Sequence, residues 1–355
     1  MVLTSLDTVD FKLLEKAKEN IREIKEKYSN DSNYDGQWLE VRESITGGCN
    51  FKCRYCTDNA SRDLDKSYEF WIKLNAALAG FGLQGLHHTG GEPTIRKNFP
   101  EYVKAMKILG YKSQVLTTNG ANPLVISEAI KEGITRVNIS LDTLKPEKMS
   151  DISGVQMNTF EKVMESINIA TEVLDLVKIN TVVTRDNFDE VESLFSFAQE
   201  KGAVLRLIEL YPYGPALESG KLVYQDYHVE KKSIIEKLEK FGPLKPVQVE
   251  GLNAVPKYFT VGSYKTPIAI ISPNWVEGGA TCGKELCRRL RVGASGNITY
   301  CNNIPEIRGE LYQDYSINDI ADKVSICVYK KNRRVLLQKY PSIHPFAYAK
   351  LRFGQ

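Results

Sequence analysis

Val41-Arg-Glu-Ser-Ile-Thr46-Gly-Gly-Cys49-Asn-Phe-Lys-Cys53-Arg-Tyr-Cys56 joins a β-type run to a tight set of thiols. Val41–Thr46 reads as a strand, and similar runs recur at Leu83–Thr89, Lys112–Thr118, Arg136–Leu141, Val177–Thr184 and Val204–Leu210. Helix-period stretches lie between them. Phe160, Val163, Met164, Ile167 and Ala170 share one face of Phe160–Val173, and Val191, Leu194, Phe195 and Ala198 share one face of Phe188–Lys201. Strands alternating with helices predict parallel β/α units with right-handed crossovers. Six such strands fall short of the eight that close a TIM barrel. The expected class is α/β, a partial (β/α)6 barrel with an open side.

Outward from the barrel, residues 1–40 read as a helical extension. Leu14, Ala17, Ile21, Ile24 and Tyr28 form the apolar stripe of an amphipathic helix over about Asp7 to Tyr28. The barrel spans 41–212. Residues 213–275 read as a connecting segment with a charged helix near Glu230–Lys240 and a hairpin of Tyr258–Val261 and Ile268–Ile271 around Gly262-Ser263. A second hairpin region covers 276–305, and a helix from about Ser316 belongs to a C-terminal segment and tail, 306–355.

Composition narrows the functional classes. Length 355 fits two domains or one barrel with appendages. Lys+Arg minus Asp+Glu is 47 − 44 = +3, which gives no electrostatic case for a nucleic-acid or membrane partner. No apolar run approaches the ~20 residues that span a bilayer. Asp7 and Asp10 stand where a secretory signal would be basic and apolar, so a cytoplasmic location is expected. The seven cysteines are an odd number for a disulfide framework, and in a reducing compartment clustered thiols hold metal or do chemistry. Cys327, the singleton, reads as a small buried hydrophobe on a helix face.

Cys49, Cys53 and Cys56, spaced C-x3-C-x2-C, follow the first strand, where barrel enzymes build their sites. Three thiolates suit a [4Fe–4S] cluster whose fourth iron stays open, or a zinc ion lacking its fourth ligand, and no His lies in the loop. Cys282, Cys287 and Cys301 form a second set. Turn-forming Ala294-Ser295-Gly296-Asn297 between Leu290–Val292 and Ile298–Tyr300 would set Cys301 opposite Leu290, within reach of Cys287. A second Fe–S cluster is expected there, with zinc as the alternative. Arg289 and Arg291 alternate beside it on one face, which suits a phosphate-bearing or carboxylate substrate or an exposed hairpin surface. His87 and His88, on a buried strand, read as satisfied core histidines.

The C-x3-C-x2-C loop in a partial barrel resembles the radical S-adenosylmethionine (SAM) superfamily. The resemblance implies that SAM chelates the open iron and that reduction cleaves it to a 5′-deoxyadenosyl radical. Tyr55 then falls near the adenine. Gly90, Gly91 and Glu92, in Gly-Gly-Glu-Pro after the second strand, are expected SAM contacts, the glycines through close backbone approach. Ser140 and Tyr211 are further expected SAM contacts.

The second thiol set and a scatter of cations are similar to the GTP 3′,8-cyclase (MoaA-like) family of molybdenum-cofactor biosynthesis. That resemblance implies GTP contacts at Arg42, Arg96, Thr117, Lys178, Arg206, Arg289 and Arg291. The cluster thiols and the Arg289/Arg291 pair become the catalytic candidates, with two [4Fe–4S] clusters and SAM as cofactors. It also implies an external one-electron donor and a homodimer. The chain departs from the family pattern at Thr46-Gly47-Gly48, in the four residues between Cys282 and Cys287, and at its Gly354-Gln355 end.

Overall fold

The computed structural model of the chain describes residues 7–29, 40–56, 64–211, 220, 223–249, 257–272, 289–299, 308–310 and 314–328. The six barrel strands form within two residues of their expected bounds: β1 (Glu40–Thr46), β2 (Gly85–Gly90), β3 (Ser113–Thr118), β4 (Arg136–Ser140), β5 (Val177–Val183) and β6 (Val204–Glu209). They lie side by side and parallel in sequence order, and the sheet does not close on itself.

The two expected hairpins extend this same sheet. Downstream strands are β7 (Leu244–Val247), β8 (Tyr258–Val261), β9 (Ile268–Ile271), β10 (Arg289–Val292), β11 (Asn297–Thr299) and β12 (Arg308–Glu310). β9 pairs parallel with β6 and continues antiparallel into β8 and β7, while β10 pairs parallel with β1 and continues antiparallel into β11 and β12. The reason is physical: β1 and β6 would otherwise present rows of unpaired backbone groups at the edges of the barrel sheet.

Helices cover the outer face. In chain order they begin with α1 (Phe11–Ser29), α2 (Tyr68–Gly80), α3 (Phe99–Ile108), α4 (Pro123–Glu132), α5 (Pro146–Ser153), α6 (Thr159–Val173) and α7 (Val191–Glu200). α1 buries Leu14, Ala17 and Ile24 of its predicted stripe. It packs closely on α2 because Gly80 lacks a side chain: a Cβ there would lie 2.5 Å from Ile24 Cγ2. Val163, Ile167 and Ala170 of α6, and Val191, Leu194, Phe195 and Ala198 of α7, are fully buried as their spacing predicted.

Behind β1 and β2 the core holds a polar network. Glu43 and His88 are both fully buried, with His88 Nδ1 2.7 Å from Glu43 Oε1 and Nε2 2.9 Å from Gln114 Oε1. The Tyr102 hydroxyl and Asn75 Nδ2 donate to the same carboxylate. His88 is thus the satisfied core residue its strand suggested. Removing one member of a buried pair strands the other in low dielectric. His88→Ala is therefore expected to lower the unfolding free energy by about 3–5 kcal/mol, read from denaturant titration. A loss below ~1 kcal/mol would contradict the network.

Candidate active site

Two regions meet on the inner side of the sheet: a thiol loop at the C-terminal rim of the strands and a polar lumen beneath it. The loop leaves β1 through Thr46, whose hydroxyl donates to Asp65 at 2.6 Å while Gly47 N–H donates to the same carboxylate at 2.7 Å. It is tied down further along by Lys52 N–H to Ser153 O and Arg54 N–H to Ile152 O, both at the end of α5. Asn119 Nδ2 lies 3.9 Å from Cys49 Sγ and donates to Asn50 Oδ1 at 2.7 Å. Cys49 and Cys53 are half-buried and Cys56 is exposed.

Burial pushes the Cys49 thiol up, and burial followed by the nearby Asp142 carboxylate pushes Cys53 up to about 12. Both are therefore neutral at ordinary pH and ionise only against a bound cation, releasing protons as they do. Among the described residues no three His, Cys, Asp or Glu side chains gather about one point as a single ion requires. A [4Fe–4S] cluster takes one thiolate per iron, so its donors need not converge. Three soft thiols in one braced loop fit such a cluster.

Gly90 and Gly91 make that bracing possible. Gly90 sits at φ +131°, and a Cβ on it would meet Thr46 O at 2.3 Å, while one on Gly91 would meet Gly48 O at 1.9 Å. Gly91 N–H donates to Thr46 O at 2.7 Å and Glu92 N–H to Gly48 O at 2.8 Å. The close backbone approach expected for a ligand is thus made, at these amides, to the thiol loop itself. We expect Gly91→Ala to drive the loop off its seat and cut iron content by at least about half in reconstituted protein, with far-UV circular dichroism unchanged. Full iron loading would contradict this seating.

The lumen is lined by the strand faces that carry no helices. Arg42 is in register with both Arg291 and His87, Thr117 with Asn138, Asn138 with Lys178, and Asn180 with Arg206. Strand alternation puts these side chains on one face. Lys178 Nζ donates to the Tyr258 hydroxyl at 3.2 Å. Arg291 Nε and the side-chain oxygens of Asn138 and Asn180 are buried without a hydrogen-bond partner. Such groups cost about 1–3 kcal/mol each unless a ligand or water meets them. Acceptors and cations together fit a ligand that carries both N–H or O–H donors and negative charge.

Of the expected SAM contacts, Ser140 is half-buried on the lumen face in register with Asn180. Tyr55 donates its hydroxyl to Asp142 and packs with Val182 against Leu210. Burial pushes the Asp142 carboxyl up to about 6, opposed by the hydrogen bonds from Tyr55 and Val182 N–H. Tyr211 donates to Ser272 O at 3.2 Å. Glu92 is buried, and its carboxylate accepts from Thr94 N–H, Thr94 and Thr118 hydroxyls and Asn119 N–H. It anchors the turn that carries Asn119 to Cys49.

Arg96 requires a correction. Expected as a triphosphate contact, it is 2% exposed, its Nε donates to Asp7 at 2.8 Å, and its Nη1 donates to Ile45 O and Lys66 O. The guanidinium also lies 4.0 Å over the Tyr68 ring. It fastens the segment before α1 to the barrel and has no surface for a phosphate. Of Arg289 only the backbone register, opposite Glu40, is described. Cys282, Cys287, Cys301 and the Gly354-Gln355 end lie outside the described residues. Sequence reasoning missed Asn138, Asn180, Glu40 and Asp142, and it did not place His87 on the lumen face. The register of His87 beside Arg42 is the signal that finds it.

The radical SAM superfamily matches residues 44–198. A GTP 3′,8-cyclase of Clostridium perfringens (strain 13 / Type A) is 32% identical over 327 residues, covering 89% of this chain and 91% of its own. A GTP 3′,8-cyclase of Haemophilus influenzae (strain PittEE) is 31% identical over 280 residues, covering 76% and 79% respectively. Among solved structures, Streptococcus suis SuiB bound to precursor peptide SuiA superposes with a TM-score of 0.59 at 16% identity, covering 90% of this chain and 70% of that one. Native anSMEcpe with bound AdoMet and Cp18Cys peptide gives 0.52 at 20% identity, covering 79% of each. At those identities the structures speak to the fold alone.

Proposed function

The chain belongs to the radical SAM superfamily and, within it, to the GTP 3′,8-cyclase family, and from this premise we propose that it converts GTP to (8S)-3′,8-cyclo-7,8-dihydroguanosine 5′-triphosphate. The observation that carries the reading is the cationic lumen, with Arg42 and Arg291 side by side across two paired strands directly below the thiol loop. Cys49, Cys53 and Cys56 would hold a cluster that, with SAM and one electron from an external donor, would supply a 5′-deoxyadenosyl radical. Everything else the chain does is placement. Arg42, Arg291, Lys178 and Arg206 neutralise and orient the triphosphate. Tyr55, Val182 and Leu210 form the apolar wall nearest the loop and keep water from the reacting centre. Fixing one ribose C–H at the rim and the phosphates deeper in the lumen is what selects the hydrogen to be removed.

We assign Cys282, Cys287 and Cys301 to a second [4Fe–4S] cluster. The register of β10 supports it: Arg289, two residues after Cys287, pairs with Glu40 at the start of β1, whereas Cys49 follows its end. The test is to incubate anaerobically reconstituted protein with SAM, dithionite and GTP. A cyclised nucleotide and 5′-deoxyadenosine are expected by mass, with about eight irons per chain, four for each cluster. Deoxyadenosine without a GTP-derived product would assign the lumen to another substrate. Stoichiometric zinc would remove the radical reading.

A further inference from the structure

The lumen contains a side-chain relay that phosphate binding does not use. His87 Nδ1 lies 3.1 Å from Glu40 Oε1, and His87 Nε2 lies 2.6 Å from the Thr117 hydroxyl. Asn138 Nδ2 is 3.0 Å from Thr117 Oγ1 and 3.3 Å from His87 Nε2. A carboxylate only accepts, so a neutral His87 carries its proton on Nδ1 and offers Nε2 as an acceptor. The Thr117 hydrogen is then directed onto Nε2, and one Thr117 lone pair takes the Asn138 amide. The same logic orients that amide, because its nitrogen must face the Thr117 oxygen, whose hydrogen is already committed to Nε2.

Two acceptor positions on this face of the sheet are left without a protein donor. One is the remaining lone pair of Thr117. The other is Asn138 Oδ1, which is buried without a partner in a residue only 2% exposed. Thr117 and Asn138 are in register on adjacent strands, so their acceptors stand side by side. Neither offers a donor. Such a pair is satisfied by hydroxyls and rejects groups that lack them.

We propose that Glu40 and His87 are positioning residues that hold Thr117 as an acceptor, so that Thr117 and Asn138 form a two-acceptor site selecting the sugar hydroxyls of the substrate. This rests on the nucleotide reading above. If His87 loses its Nε2 acceptor, the Thr117 hydrogen is free to turn outward, and the selection weakens even though the lumen keeps its cations.

Anaerobic calorimetric titration of the reconstituted full chain with GTP, 2′-deoxy-GTP and 3′-deoxy-GTP tests it. Wild type should bind at least one deoxy analogue about 100-fold more weakly than GTP, the consequence of stranding a buried acceptor. His87→Phe should reduce that ratio below about 5-fold, while His87→Gln, which returns an acceptor near the Nε2 position, should keep it. Asn138→Ala, measured in parallel, should lower the ratio likewise and covers the case that His87→Phe does not fold. Equal binding of all three nucleotides by wild type, or wild-type discrimination in both His87→Phe and Asn138→Ala, overturns the inference. Failure of wild type to bind GTP at all would remove the nucleotide reading and this inference with it.

Discussion

Replacing Cys53 with Ala is expected to abolish SAM cleavage, lowering 5′-deoxyadenosine formation by on the order of 10³-fold or more. The cluster has three protein ligands in one short loop, and the carboxylate beside Cys53, that of Asp142, already accepts from the Tyr55 hydroxyl and Val182 N–H. Burial pushes the Cys53 thiol up to about 12. Its ionisation therefore depends on the cluster, and its loss leaves an iron to be ligated by solvent. The fold should survive, because the loop is seated by backbone bonds to α5 and to Gly91 that do not involve the sulfur. Iron content, the visible absorption of the cluster and the deoxyadenosine yield should fall together in Cys53→Ala while far-UV circular dichroism is unchanged. Retained cleavage activity would show that the radical is made elsewhere.

The double variant Arg42→Ala/Arg291→Ala should have the opposite signature. The two guanidinium groups are register neighbours on the lumen face, and each charge-assisted contact to a phosphate contributes about 1.5–3 kcal/mol. Removing both should weaken GTP binding by roughly 10²–10⁴-fold. Because neither belongs to the thiol loop, deoxyadenosine should still form, uncoupled from nucleotide product. The KM for GTP and the ratio of deoxyadenosine to cyclised product read the two effects separately. An unchanged KM would mean that the triphosphate lies elsewhere. Arg96→Ala supplies the contrast: it should destabilise the fold by removing the buried bonds to Asp7, Ile45 O and Lys66 O, and leave GTP affinity in the folded protein near wild type.

That contrast marks where the sequence could be read and where it could not. The six strands, the stripe of α1 and the buried faces of α6 and α7 are set by spacing within a few residues, so they emerged within about two positions. Both edge hairpins were visible as hairpins, but what they pair with depends on bare sheet edges about 60 and 250 residues away along the chain. The thiol loop was legible because its chemistry is written in consecutive residues.

The lumen was harder. Arg96 stands four residues after Glu92 and reads as one more cation near a glycine turn, yet its partner is Asp7, 89 residues earlier. His87 and His88 are adjacent and look alike in sequence. Alternation sends His88 into the core against Glu43 and His87 into the lumen against Glu40 and Thr117, and which face holds the substrate is decided only by where the helices pack. Glu92 shows the same limit. Its neighbours suggest a ligand contact, and four donors from Thr94, Thr118 and Asn119 show a structural anchor.

The hydrogen on the ribose C3′ is the atom to follow. GTP deuterated at C3′ should be supplied with SAM and dithionite to the reconstituted protein, and the deoxyadenosine recovered should be weighed by mass spectrometry. Deoxyadenosine one mass unit heavier is expected, formed together with a cyclised nucleotide that has lost the label from C3′. Unlabelled deoxyadenosine, with the deuterium still on recovered GTP, would contradict it.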